Sequence, residues 1–102
     1  MGKLTGRYFI IGIIPSKGPL RVLKFGDTKV DEEGKERYEA FYLDNNTQKD
    51  FFVSHMELIT RDSSEREWKY HEKTQGYRQF VLEIKEGDVP QALIDVKNKK
   101  YG

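Results

Sequence analysis

The sequence contains no cysteine, which excludes disulfide bridges, thiol chemistry and thiolate zinc sites. It has two histidines, His55 and His71, so a metal site would have to rely on carboxylates. The charges almost cancel, with 18 basic and 17 acidic side chains. A net charge of +1 gives no global field that attracts nucleic acid or an anionic membrane, which leaves only a local basic patch for that purpose.

The sequence also lacks an apolar run of membrane-spanning length. The stretch Tyr8–Ile14 has seven residues, whereas a helix needs about 20 to cross a bilayer. Pro15 and Lys17 interrupt this stretch before a signal-peptide pattern can develop. We therefore expect a cytoplasmic protein with no membrane partner.

The motifs of common enzyme classes are missing. HEKTQ at 71–75 has no second histidine at the spacing of a zinc-protease helix, and phosphate-loop, dinucleotide and nucleophile-elbow patterns do not occur. Asp44 and Asp50 flank a turn, where aspartate serves backbone bonding, and hydrolysis by these residues or His55 is a distant third hypothesis. We expect no enzyme, with no catalytic residues, metal or cofactor.

The chain does contain the pattern of one β-rich domain, residues 1–102, with 13% aromatic residues. Side-chain alternation predicts strands over 7–14, 20–25, 37–43, 51–54, 67–71 and 77–84, with loops at 15–19 and 26–36. A helix over 65–72 stays open as an alternative because Ser64 and Glu67 have capping-box spacing. Asp88 followed by Pro90 predicts the start of a C-terminal helix.

The predicted class is mainly β (α+β): a small SH3-like or OB-like barrel or curled antiparallel sheet of about six short strands with one C-terminal helix. The pattern YEAFYLD…FFVSHMELI resembles SH3-like small barrels of the Tudor and WYL types, in which an aromatic strand, a polar turn and a strand ending in a Leu or Ile pair recur. This resemblance covers about a quarter of the chain, and it implies barrel-like architecture but no functional residues.

The aromatic hairpin RYEAFYLDNNTQKDFFVSH, residues 37–55, holds five of the thirteen aromatic side chains. Alternation separates its rings onto two faces, of which one must be core. The side chains that we assign to the interior are Phe41, Leu43, Phe51 and Val53. The side chains that we predict to bind a partner are Tyr38, Tyr42, Phe52 and the turn residue Asn46. The alternative is that the C-terminal helix covers this face and makes it a second core.

These features favour a non-catalytic binding or regulatory module that engages a protein through the aromatic hairpin or an exposed strand edge. A homodimer through such an edge is a further option. The alternative is binding of nucleic acid or a nucleotide by the basic N-terminal hairpin, with Tyr8 or Tyr42 stacking on a base. The residues of that alternative are Arg7, Tyr8, Lys17, Arg21 and Lys24. Lysines in a hairpin also protect exposed strands from aggregation, which is the simpler explanation.

Overall fold

The computed structural model describes residues 2–14, 20–60, 67–70 and 78–98, and of these it gives the backbone alone for 13–14, 67–70 and 78–80. The described residues form six strands and two α-helices. In chain order these are β1 Tyr8–Ile14, β2 Arg21–Val30, β3 Glu36–Tyr42, β4 Thr47–Phe52, α1 Val53–Thr60, β5 Glu67–Tyr70, β6 Arg78–Ile84 and α2 Val89–Lys97. A single 3₁₀ turn, Glu86–Asp88, leads into α2.

The six strands form one antiparallel sheet in the order β4-β3-β2-β1-β6-β5. The first four strands follow one another as a meander, and β6 returns beside β1. Within the described part of the chain, β4 and β5 are the two outer strands, so the sheet is open. The mainly β class and the C-terminal helix are therefore confirmed, whereas closure into an SH3-like or OB-like barrel is not.

The two helices pack on opposite faces of the sheet, which we call the α1 face and the α2 face. The central strand β1 serves both, since Phe9 and Ile11 point to the α1 face and Ile10 points to the α2 face. The core of the α1 face is Leu4, Phe9, Ile11, Leu23, Phe25, Tyr38, Ala40, Met56, Ile59 and Val81. The core of the α2 face is Ile10, Leu20, Val22, Ala92 and Val96.

The segment after β4 is a helix, so the strand predicted over 51–54 is wrong in its second half, where Val53 and Ser54 begin α1. Met56, Ile59 and Thr60 are buried, and their i, i+3, i+4 spacing places them on one side of α1. The Thr60 hydroxyl donates to the carbonyl oxygen of Met56 at 2.6 Å, which satisfies this buried polar group within the helix. The alternation of the aromatic hairpin therefore ends at Phe52.

Strand β2 extends five residues beyond its predicted end and includes 26–30, which we had expected to be loop. A β-bulge explains why the alternation is hidden, because Gly26 and Asp27 together oppose the single residue Glu39. A Cβ at position 26 would lie 3.1 Å from a carbon of the Phe41 ring, a contact so tight that the ring would have to shift. The bulge lets that ring lie close to the β2 backbone.

The C-terminal part of the fold agrees more closely with the sequence. Strand β5, Glu67–Tyr70, and strand β6, Arg78–Ile84, confirm the predicted strands over 67–70 and 78–84, and positions 71 and 77 of the predicted ranges lie outside the described residues. Helix α2 carries Pro90 in its first turn and Lys97 in its last, as expected. Asp88 stands at the N-cap position, but its side chain makes no capping hydrogen bond. The helix is held instead by the burial of Ala92 and Val96.

Candidate functional site

Tyr38 is a core residue, and the expectation that its ring faces solvent is wrong. Its exposed fraction is 0%, because α1 covers this face of the hairpin. The phenol accepts the N–H of Leu4 at 3.0 Å and donates to Glu57 Oε2 at 2.8 Å. Burial raises the pKa of the Tyr38 phenol, and the bond to Glu57 raises it further. Tyr38 therefore ties the N-terminal segment and α1 to the sheet and is removed from the predicted partner-binding set.

Tyr42 lies at the edge of the same core and is half-buried against it. The Arg21 guanidinium carbon is 3.7 Å from the centroid of the Tyr42 ring, a close cation–π contact. Arg21 also donates to Asp44 at 3.0 Å and to Asn45 at 2.8 Å. Burial raises the pKa of the Tyr42 phenol. The ring is thus packed on one side and covered by Arg21.

The remaining members of the aromatic hairpin divide between the two faces. Asn46 is exposed and has a φ of 56°, a left-handed angle that suits asparagine and explains its place in the β3–β4 turn. Phe51 stands opposite Tyr38 and packs against the same core, so its interior assignment is confirmed. Phe41 and Phe52 lie on the other face, and neither packs in either core cluster. The predicted interior position of Phe41 is therefore wrong.

The basic hairpin does not form one patch. Arg7 is bonded to the backbone of Phe25, whereas Arg21 stands opposite Ile11, which places the two arginines about 13 Å apart along the strands. Arg7 donates to both oxygens of Glu83, at 2.5 and 2.6 Å, and lowers the pKa of that carboxyl. Arg21 is held by Asp44, as described, and Lys17 lies outside the described residues.

Two members of the basic set do come together. Tyr8 stands opposite Lys24 on the α2 face, and the Lys24 Nζ lies 5.3 Å from the centroid of the Tyr8 ring. Since cross-strand partners share a face, this pair is separated from Arg7 and Arg21 by the sheet itself. Among the described members of the alternative site, Tyr8 and Lys24 are the pair that lies together.

A groove beside α1 collects the strongest features for contact with another molecule. This α1 groove has a volume of about 790 Å³, and its lining is Lys35, Glu36, Phe52, Val53, Ser54, His55, Glu57 and Leu58. It lies where β4 ends at Phe52 and the chain turns directly into α1. Two large apolar side chains line it, Phe52 with an exposed fraction of 40% and Leu58 with 58%. The charged groups of the lining carry both signs.

The Phe52 ring is held by neighbouring cations. The Arg37 guanidinium carbon lies 4.1 Å from the ring centroid, and the Lys35 Nζ lies at 5.6 Å. Arg37 in turn donates to Asp31 Oδ2 at 2.7 Å, and this bond keeps the pKa of the Asp31 carboxyl below its usual range. Asp31 also accepts the N–H groups of its own turn, so the contacts that orient Phe52 rest on a structured loop.

Leu58 stands on a ridge between two depressions. The second depression, of about 430 Å³, is lined by Lys3, Leu4, Arg7, Ser54, Glu57, Leu58 and Thr60. Ser54, Glu57 and Leu58 border both depressions, so the outer side of α1 is accessible along its length. We did not predict Leu58 as a site residue. Leu58 is an apolar side chain outside the buried i, i+3, i+4 stripe of Met56, Ile59 and Thr60. This feature can be recognised only once 53–60 is known to be helical.

No protein-family model matches this sequence, and no curated protein or solved structure matches it either. Among the residues that the structure describes, no helix has the length and apolar content to cross a membrane. The same residues contain no group of three or more metal-ligating side chains placed to hold an ion.

Proposed function

We propose that this protein is a non-catalytic binding module that engages a protein partner through the α1 groove, with Phe52 and Leu58 as the apolar contacts. The observation that carries the proposal is the exposure of both side chains on one concave surface. Buried aromatic and aliphatic anchors surrounded by a polar rim are typical of the centres of protein interfaces. Phe52 is the one residue of the predicted aromatic set that keeps this role.

The partner that fits best is an extended polypeptide segment. Strand β4 is an outer strand of the described sheet, and its last residue, Phe52, lines the groove. A segment that adds to the β4 edge would gain main-chain hydrogen bonds and would place its next side chains over Phe52 and Leu58. The mixed charges of Lys35, Glu36 and Glu57 would then select flanking residues of both signs.

Self-pairing of β4 is disfavoured by its own sequence. Two copies of β4 related by a two-fold axis would pair in antiparallel orientation. Paired side chains must point to the same face of the continuous sheet, so even-numbered residues pair with even-numbered residues and odd with odd. One residue of β4 then stands directly opposite the same residue of the second copy. In the middle of β4 that residue is Lys49 or Asp50. Either register opposes two like charges, which destabilises the pairing. This favours a different polypeptide over a second copy of the chain as the β4 partner.

The test is affinity capture with three versions of the protein, read by quantitative mass spectrometry. The double variant Phe52→Ala/Leu58→Ala should lose the proteins that the wild type retains, because both apolar contacts are gone. Ile94→Ala is the matched control, since Ile94 is also apolar and 51% exposed but lies on α2 across the sheet. Thermal unfolding of all three establishes that the fold is intact.

A photo-crosslinking residue at position 58 should then give adducts that the same residue at position 94 does not give. Retention of the same proteins by the double variant, or their loss from Ile94→Ala as well, would refute the groove as the docking site.

A further inference from the structure

A second surface lies on the α2 face, two side-chain rows along β3 and β4 from Phe52. Strand register aligns Tyr8 opposite Lys24, Lys24 opposite Phe41 and Phe41 opposite Gln48. One side chain from each of β1, β2, β3 and β4 therefore stands in a row, which we call the ring row. Neighbouring strands are about 4.8 Å apart, so the positions of the two rings are separated by about 10 Å with Lys24 between them.

The two rings of the ring row lie outside the cores that join the sheet to its helices. Tyr8 and Phe41 are only half-buried, and they pack in neither of the two core clusters. The glycine at position 26 accommodates Phe41, because the absence of a side chain there allows the Phe41 ring to lie close to strand β2. Partly buried rings on a sheet face keep some flat apolar surface open to a ligand.

The positive charge of the ring row is available to a ligand. Lys24 makes no ion pair with any described residue, and its Nζ lies over the Tyr8 ring. By contrast, Lys29 on the same face is bound to Asp50 at 3.0 Å and lies 3.8 Å from Glu39. Arg37 on this face is bound to Asp31. Lys24 therefore stands beside two rings on the α2 face, and it makes no ion pair with a carboxylate of the described residues.

We propose that the ring row binds single-stranded nucleic acid, with bases stacked on Tyr8 and Phe41 and a phosphate on Lys24. Stacking on aromatic side chains of an open sheet face, combined with a backbone-directed cation, is a general mode of single-strand recognition. A duplex would not fit, because its bases are already stacked on each other. The carboxylates of Glu39 and Asp50 in the next row repel phosphates, so the bound strand would run across the β-strands and along the ring row.

The test is titration of a short fluorescent single-stranded oligonucleotide, followed by anisotropy at low and moderate salt. We expect Phe41→Ala to weaken binding on the order of tenfold through loss of one stacking contact. Lys24→Glu should weaken it as well and should flatten its dependence on salt, by a slope of about 0.7 for one phosphate. A duplex of the same sequence should bind more weakly than the single strand.

Lys49→Glu is the matched control. Lys49 also has its Nζ near a ring, at 5.6 Å from the Phe51 centroid, and no ion pair with described residues, but it lies on the α1 face. An equal loss of affinity in Lys49→Glu and Lys24→Glu would show non-specific charge attraction and overturn the proposal. Full affinity in Phe41→Ala, or no measurable binding by the wild type at low salt, would overturn it too.

Amide chemical-shift changes locate the ligand independently of any substitution. On titration with the oligonucleotide they should centre on Tyr8, Lys24 and Phe41. The Phe52→Ala/Leu58→Ala variant should bind the oligonucleotide as the wild type does, so failure of the α1 groove and failure of the ring row are distinguishable. Tyr8→Leu provides a second stacking variant should Phe41→Ala prove unstable.

Discussion

The two faces of the sheet carry similar aromatic residues and use them differently. On the α1 face, Phe9, Phe25 and Tyr38 are fully buried, with ring centroids 5.5 Å apart for the first pair and 5.1 Å for the second. On the α2 face, Tyr8 and Phe41 pack in neither core. The difference comes from the helices, because α1 lies over the rings of its face, whereas α2 packs on the aliphatic residues Ile10 and Val22 and their neighbours.

Aromatic content alone therefore does not distinguish a core from a binding surface. Alternation determines which side chains share a face, but the covering element decides which face is dry. Here the two tyrosines that looked most suitable for contact are packed against the core, and a phenylalanine assigned to the core is not.

Truncating one ring on each face should show the largest difference in stability between the α1 face and the α2 face. Phe25→Ala should lower the free energy of unfolding by about 3–5 kcal/mol, because Phe25 is fully buried between two other rings. Phe41→Ala should cost less, about 1–2 kcal/mol, because this partly buried ring packs in neither core cluster. Urea unfolding of both variants measures these values. Equal costs would mean that the α2 face contains a core around Phe41 as well.

Removing the Tyr38 hydroxyl should have an intermediate effect. Tyr38→Phe keeps the ring but leaves the N–H of Leu4 without its acceptor and Glu57 without its donor. The expected loss is about 1–3 kcal/mol in the free energy of unfolding. Hydrogen exchange of the Leu4 amide should accelerate in the same variant. An unchanged exchange rate would show that the phenol does not hold the N-terminal segment.

The smallest effect concerns the pH dependence of the Arg7–Glu83 pair. Arg7 lowers the pKa of Glu83 in the folded protein, so the pair stabilises the fold above the ordinary glutamate pKa of about 4.3 and loses this contribution as pH falls through the lowered pKa. Glu83→Gln should therefore be less stable than the wild type at neutral pH, and the gap should narrow in acid. Thermal unfolding across this range measures the gap. A gap independent of pH would assign the effect to packing.

Much of the fold could be predicted because several strands have unbroken alternation. Strands β1 and β6 lie within one residue of their predicted ranges, and Pro90 marked the first turn of α2. Two features of the fold were not predicted, and each has a physical reason. The bulge at Gly26 shifts the alternation of β2, and α1 has only eight residues, with an apolar pattern that continues the strand before it.

The candidate sites were predictable only in part. Sequence spacing placed Tyr8 and Lys24 in one hairpin, and the register brings them together. The alternation of the aromatic hairpin also predicted correctly that the Phe52 ring is exposed. Phe41 and Leu58 were missed because the surroundings of both side chains depend on where the helices lie, which is set by long-range packing and not by local pattern.

The turn that precedes β1 has a consequence for how the domain is delimited. Leu4 is buried in the core of the α1 face, and Gly2 lies so close to the Tyr38 ring that a methyl group there would overlap the phenol. A recombinant fragment trimmed to begin at the first strand would therefore lose Leu4 from this core, together with its N–H bond to the Tyr38 phenol. An affinity tag is therefore better attached through a spacer ahead of residue 2 than put in place of this turn, which packs against the sheet.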